Sequence, residues 1–407
     1  MEYINGRTVI GLLMAASIAV ASGCGGQGRY TKEHTSLAKE KMNIMKSATE
    51  WDMAHQAFLA GDLEKALRKV DNSLSINPNV TKSHVLKGRI LMEMGEVGAA
   101  LRSLQTAVAI DPNYVDAHYY SGIAYERLAK PEEALTHYLA AISLDDYNDQ
   151  YVVAAAEMLI DLDRTDEAVT LLKQSPAFDH SAGIHQTLGH IAQLDDDFTL
   201  AAEEFEAARL LAPDDLGILE DLTRAQFLAG NYPDAAYGLE TLLAEEEYAQ
   251  RRDLKRMHAE CLLKLDRRTE ARQAYLDLTS DPAAASDADA WIGLGNISYQ
   301  VGDMNTLRKA ATRAVAIAPD RKDGYVLWSL LHRAQGNAEA SLRSIEDAIE
   351  RDPTDPLLQT MRALALLDLG RQDEARKALS AALQIDPTNR AARAVLTRIE
   401  DDSAPVP

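Results

Sequence analysis

The chain has 407 residues, 46% of them hydrophobic and only 6% aromatic, with a formal net charge of -21. Such a composition, rich in Ala, Leu and Glu, favours helices over sheet. So negative a surface repels a phosphate backbone, so nucleic acid is not expected as a partner. Two cysteines, Cys24 and Cys261, are too few for a disulfide framework. Cys261 falls in an apolar helical pattern, where a small core residue is expected.

Taken in chain order, residues 1–23 hold one acid, Glu2, and one base, Arg7. The apolar run from Thr8 to Ala21 is short for a bilayer span and suits the core of a signal peptide. It closes on Ala21-Ser22-Gly23-Cys24, which resembles the bacterial lipobox, with Ala21 where Leu is usual. The resemblance implies that Cys24 becomes diacylglycerol-modified and is the mature amino terminus, anchoring the protein to a membrane; an ordinary cleavable signal peptide is the competing reading. Gly25 stands where an Asp tends to retain such proteins at the inner membrane of Gram-negative cells, so an outer-membrane lipoprotein facing the periplasm is expected. Residues 24–46 then comprise the lipidated Cys, a Gly25-Gly-Gln-Gly28 tether and a helix-favouring segment that extends or caps the helix beginning near Ser47.

From residue 47 a period appears. Pro78 and Pro112 are 34 residues apart, as are Pro319 and Pro353, and Pro353 and Pro387. With each proline at position 32, repeats begin near Ser47, Thr81, Val115, Asp149, Ala182, Leu216, Arg252, Ala288, Lys322 and Pro356. Position 8 is small almost throughout (Ala54, Gly88, Gly122, Ala156, Gly189, Ala259, Gly295), as is position 20 (Ala66, Ala100, Ala134, Ala168, Ala201, Ala235, Ala271). Small side chains let two helix backbones approach, so Gly122 and Ala134 are expected to face each other across a helix pair. Gly61, Gly95, Gly230, Gly302, Gly336 and Gly370 recur at the turn between helices, where a left-handed residue caps the first helix. Pro176 predicts an early stop for the second helix of the fourth repeat, and the phase slips near residues 175–182 and 280–287.

A period of 34 residues with helical patterning resembles the tetratricopeptide repeat family over residues 47–387. The resemblance implies an all-α, right-handed superhelical solenoid of about ten helix–turn–helix units. Residues 388–407 add a capping helix, read over Asn389 to Ile399 with Ala391, Ala392, Val395, Leu396 and Ile399 apolar, and a disordered tail from Asp401.

Little catalytic chemistry is legible. The chain has no phosphate-binding Gly-x-x-x-x-Gly-Lys loop, His-Glu-x-x-His or Gly-x-Ser-x-Gly. His180, His185 and His190 are five residues apart, about 140° on a helix, and read as scattered solvent-facing side chains rather than a metal site. Asp195-Asp196-Asp197 reads as a solvated cap. No enzyme activity, cofactor or metal is expected.

What remains is surface. In solenoids of this family the first helices line a concave groove through positions 2, 5, 9, 12 and 13. That places Trp51, His55, Phe58, Arg89, Tyr119, Arg127, Arg224, Phe227, Asn296, Tyr299 and Arg333 in the groove. Trp51 and Phe58 fit burial under the amino-terminal helix equally well. The candidate partner-binding residues are therefore Arg89, Tyr119, Arg127, Arg224, Phe227, Asn296, Tyr299 and Arg333, aromatics and arginines being common anchors of interfaces. Tyr119 beside Arg89 and Arg127 would suit a protein segment with an apolar anchor and an acidic residue. The expected function is a non-enzymatic, envelope-anchored scaffold binding other proteins, with an architecture similar to pilus and secretion-system assembly factors. The alternative is a regulatory or accessory subunit of a cell-wall or polysaccharide-synthesising enzyme.

Overall fold

A computed structural model describes residues 29–280 and 286–402. Apart from one 3-10 turn, every described regular element is an α-helix, and none is long and apolar enough to cross a membrane. The expected signal peptide, lipidated Cys24 and tether fall on residues outside those described. The chain divides into two blocks, residues 1–187 and 188–407.

In the amino-terminal block the helix pairs are Arg29–Leu59 with Leu63–Ile76, Thr81–Glu93 with Val97–Ile110, Val115–Glu126 with Pro131–Leu144, and Asp149–Asp161 with Thr165–Gln174. The last of these is 10 residues long and its cap, Ser175, precedes Pro176, the early stop expected from the proline. The 3-10 turn Phe178–His180 comes next, where the phase slips, and the helix Ala182–Leu194 begins the fifth repeat. The carboxy-terminal block continues with Phe198–Leu211, Leu216–Leu228 with Tyr232–Ala244, Arg252–Lys264 with Arg268–Ser280, Ala288–Val301 with Met304–Ile317, Asp323–Ala334 with Ala338–Arg351, and Pro356–Asp368 with Gln372–Ile385. The second phase slip falls partly on residues outside those described; the rest of the extra length lies in the turn between Ala244 and Arg252, in keeping with the 36-residue spacing of the repeat starts Leu216 and Arg252.

The turns repeat one conformation. Gly61, Gly95, Gly230, Gly302, Gly336 and Gly370, all at position 15, have φ between 73° and 80°. The other four repeats place Ala129, Asp163, Asp196 and Asp266 at that position with φ of 53° to 58°. The turn geometry is thus imposed by the helix pair, and glycine is only its least strained occupant. Asp196 is one of these left-handed residues, and Asp197 caps the next helix through the Leu200 N–H at 3.0 Å.

Within each block the small-residue columns are buried. Ala54, Ala156, Ala259 and Ala363 at position 8, and Ala66, Ala100, Ala134, Ala168, Ala201, Ala235, Ala271 and Ala375 at position 20, are fully inaccessible. Ser329 and Ser341 show the crossing of positions 8 and 20 directly, their hydroxyls 2.9 Å apart. At the glycines the space a Cβ would take is filled from another position of the repeat. A Cβ on Gly88 would lie 2.6 Å from Leu104 Cγ, one on Gly189 2.6 Å from Phe205 Cε1, and one on Gly122 2.6 Å from Tyr138 Cδ1. Each of these side chains occupies position 24, so the glycine accommodates a large residue one turn beyond the alanine. In the eighth repeat position 24 is only Ala311, and Leu327 from the next repeat fills the space over Gly295.

A second recurrent device joins neighbouring repeats. His84, His118 and Tyr325, all at position 4, contact the carbonyl oxygens of Pro78, Pro112 and Pro319 at 2.8, 3.0 and 3.2 Å. The proline that ends one repeat thereby has its carbonyl satisfied by the next.

Of the two readings of the segment before residue 47, extension is the one observed, while the last helix runs beyond its expected end. The first helix runs unbroken from Arg29 to Leu59, so the segment before residue 47 prolongs a repeat helix and does not fold over it. The last, Arg390–Asp402, continues past Asp401, where a tail was expected. It buries Ala392 and Ile399 against Leu379 and Ala382, with Val395 and Leu396 partly covered; Ala391 stays exposed with Arg390, Arg393 and Arg398.

Candidate functional site

The first-helix face of the amino-terminal block gathers aromatic side chains. Tyr119 and Tyr120 come from Val115–Glu126, Tyr138 from the paired helix and Tyr151 from the next repeat. The Tyr119 ring centroid lies 5.3 Å from Tyr120, 5.9 Å from Tyr138 and 4.9 Å from Tyr151. Burial raises the pKa of all four phenols, and for Tyr138 the hydrogen bond it donates to Glu126 at 2.7 Å adds to the shift. They are therefore neutral donors near pH 7. The exposed carboxylates Glu126 and Glu157 flank Tyr119 and contribute to its shift.

The arginines expected beside Tyr119 are engaged within the chain. The Arg89 guanidinium lies 5.0 Å over the Phe58 ring and 4.7 Å over the Tyr120 ring, a cation between two aromatic faces of the preceding and following repeats. Arg127 donates to the Met92 carbonyl at 3.0 Å and to Glu93 at 3.4 Å. Trp51 is half-buried, donates to the Lys82 carbonyl at 3.2 Å, stacks on His55 at 5.1 Å and lies under the Lys82 ammonium. The surface thus offers aromatic rings and carboxylates, with the cations already partnered.

In the carboxy-terminal block the same face carries ion-pair links. Arg224 bonds Glu220 at 2.8 Å and Asp253 at 2.7 Å, and Arg251 bonds the same two carboxylates at 2.9 and 2.8 Å. The Arg251 hydrogen bond, then that of Arg224, holds the Asp253 carboxyl well below its usual range despite partial burial. Phe227 packs edge-on against Tyr232 at 5.8 Å. Tyr299 and Arg333 come together with Asp368, which Arg333 bonds at 2.7 Å, around a recess of about 490 Å³. Asn296 is exposed in a separate recess of about 450 Å³ with Arg256, Glu260 and Asp289. Sequence reading missed Tyr120, Tyr151, Glu220, Arg251 and Asp253. The signal available for one of them was the base at position 9 of the sixth repeat, Arg224, followed by an acid at position 2 of the seventh, Asp253.

On the second-helix side, a groove of about 870 Å³ lies between Phe198–Leu211 and Tyr232–Ala244, floored by Leu219 and Leu222 and rimmed by Glu203, Glu206 and Asp234. Its counterpart in the first two repeats is about 390 Å³, and there Lys87 and Asp71 form a 2.8 Å bridge. The wider groove has Ala202 and Gly238 where the narrower has Leu67 and Ser103. Gly238 is enforced from below, because a Cβ there would overlap the buried hydroxyl of Thr223.

Among the described residues no three His, Cys, Asp or Glu side chains are placed to hold a metal ion. His180 and His190 are exposed, but His185 is 9% exposed and packs on the Phe178 ring at 4.8 Å, correcting its reading as a solvent-facing residue. The 3-10 turn that takes up the phase slip brings Phe178 over it. Cys261 is buried, and burial pushes its thiol up to about 12, so it is a core residue and not a nucleophile.

A family model described as TPR repeat matches residues 88–128, and one described as tetratricopeptide repeat matches residues 326–390. The TPR repeat-containing protein YpiA of Bacillus subtilis (strain 168) is 24% identical over 236 residues, 57% of this chain and 54% of that protein. The chain thus spans about half the length of that curated relative. Among solved structures, the APC/C hetero-tetramer Cut9-Hcn1 is similar at 12% identity and a TM-score of 0.45, covering 89% of this chain and 98% of that one. PilW, described as a widely conserved type IV pilus biogenesis factor, is similar at 16% identity and a TM-score of 0.45, over 50% of this chain and 95% of its own.

Proposed function

We propose, from the premise that the chain is a tetratricopeptide repeat protein, that it works as a non-enzymatic scaffold held to the bacterial cell envelope by a lipidated Cys24. Helical repeats of this family serve protein interaction, and the observation that carries the site is the tyrosine tier around Tyr119 on the first-helix face. Tyr119 and Tyr120 are partly exposed and offer aromatic surface, the buried Tyr138 and Tyr151 hold them in place, and the exposed carboxylates of Glu126 and Glu157 lie beside them. Because Arg89 and Arg127 are partnered internally, the occupant is a protein segment with an apolar or aromatic anchor and a basic residue. This revises the acidic residue expected from sequence. The net charge of -21 adds long-range attraction for a basic partner.

The run Ala21-Ser22-Gly23-Cys24 supports the anchor, and Gly25 supports the outer membrane facing the periplasm. Assembly of a pilus, secretion or other envelope complex fits a tethered scaffold; the accessory-subunit role is the second reading. Two measurements test the proposal. Mass spectrometry of the mature amino terminus should find acylated Cys24, and Cys24→Ala should leave the protein soluble or uncleaved. Replacing Tyr119 by Ala should reduce partner recovery while the melting curve keeps its cooperativity. An unmodified, soluble wild-type protein sinks the anchor, and undiminished recovery sinks the site.

A further inference from the structure

The helix Arg29–Leu59 has two unlike halves. From Ser47 onward it is a repeat helix, burying Ser47, Ala54 and Ala57. Residues 33–46 project beyond the repeat and are exposed, save Asn43, which is half-buried. Large apolar side chains stand in solvent there: Leu37 is 45% exposed, Met42 50%, Ile44 52% and Met45 71%. At ~100° per residue these four, with Ala38, fall within an arc of about 160° that also holds His34 and Lys41, while Lys39 and Lys46 lie outside it.

The charge of this segment opposes that of the molecule. Residues 24–46 hold Arg29, Lys32, Lys39, Lys41 and Lys46 against Glu33 and Glu40, a net charge of +3. The chain totals -21 and residues 1–23 are neutral, so residues 47–407 carry -24. Lys39, Lys41 and Lys46 form no ion pair among the described residues. A basic helix with an unpartnered apolar stripe is the pattern that lies in a membrane interface, with its apolar face among the acyl chains and its lysines at the headgroups.

We infer that residues 29–46 form a membrane-surface helix that docks on anionic lipid headgroups. The inference rests on the proposed anchoring at Cys24. Arg29 is five positions after Cys24, a reach of at most ~18 Å at ~3.6 Å per residue, so an acylated Cys24 keeps the amino-terminal end of the helix near the headgroup layer. One acylated residue and one basic amphipathic segment together supply the two signals that stable attachment needs. The acidic repeats are repelled by the same anionic surface, so the basic segment faces the lipid while the repeats stay in the aqueous phase. A second copy of the chain is the rival occupant, since its acidic repeats would also attract this segment.

The test uses the unlipidated chain from residue 25, which keeps every described residue, mixed with vesicles of phosphatidylglycerol and phosphatidylethanolamine or of phosphatidylcholine alone. The protein should sediment with the anionic vesicles and not the neutral ones, and ~0.5 M salt should weaken binding. Lys39→Glu with Lys41→Glu and Lys46→Glu should lower partitioning at least about tenfold. Amide exchange in residues 33–46 should slow only with anionic vesicles. Equal binding to both vesicle types, no binding to either, or slow exchange in a lipid-free dimer overturns the inference. Acylated Cys24 in cells with no anionic preference here rejects the helix alone; anionic preference with unmodified Cys24 rejects the anchor alone.

Discussion

Tyr138 lies directly over Gly122: a Cβ at residue 122 would fall 2.6 Å from the Tyr138 ring carbon Cδ1. The glycine is what admits the ring, and the ring in turn contacts Tyr119 and donates its hydroxyl to Glu126. Packing inside the third repeat therefore sets the candidate site. Gly122→Ala should destabilise the protein by ~1–3 kcal/mol through overpacking. In a Tyr138→Ala background the same change should cost far less. A denaturant-melt double-mutant cycle measures this, and additive effects would separate the two residues.

Position 15 yields a prediction in both directions. Gly302 has φ 79°, and Gly302→Ala should lose ~1 kcal/mol by forcing a Cβ into the left-handed region. Ala129 already occupies that region at φ 53°, so Ala129→Gly should be neutral to stabilising, by up to ~1 kcal/mol. Thermal melts of the two variants should shift oppositely or leave Ala129→Gly unmoved; a loss at Ala129 equal to that at Gly302 would contradict the account.

The linkage between Asp303 and the preceding repeat predicts an acid dependence. The Thr306 hydroxyl, then Arg272 at 2.7 Å, then the Thr306 backbone N–H lower the Asp303 carboxyl from an ordinary 3.8 to about 2. A depressed folded value means the stabilisation is present above 3.8 and is lost as pH falls from 3.8 toward about 2. Arg272→Met should raise the Asp303 carboxyl in an NMR titration and reduce the stability lost across that window. An unchanged titration would show that Arg272 contributes nothing.

Much of this fold was legible because proline and glycine punctuate the chain. Nine of the ten repeat starts fall within a residue of an observed helix start, Lys322 being the residue before Asp323–Ala334. The exception is Ser47, hidden inside a longer helix because nothing between Arg29 and Leu59 breaks helical propensity. Ala129, Asp163, Asp196 and Asp266 were not read as left-handed, since tertiary packing and not residue type imposes that conformation there. The site was less legible. Position in the repeat located Arg127, Arg224 and Arg333, but Glu93, Asp253 and Asp368 bond them from neighbouring repeats, a pairing set by how first helices align. His185 was misjudged because its cover, Phe178, sits on a turn that the repeat pattern does not contain.

The measurement that bears most directly on the scaffold is photo-crosslinking in cells, with a benzophenone amino acid replacing Tyr119 on the first-helix face or Tyr237 on the second-helix side. Tyr237 is 74% exposed and lines the 870 Å³ groove, so it is the more accessible position. The account predicts a discrete adduct with an envelope protein from residue 119 and none from residue 237. An adduct from residue 237 alone, with both variants folded and equally abundant, would contradict it and move the binding surface to the second helices.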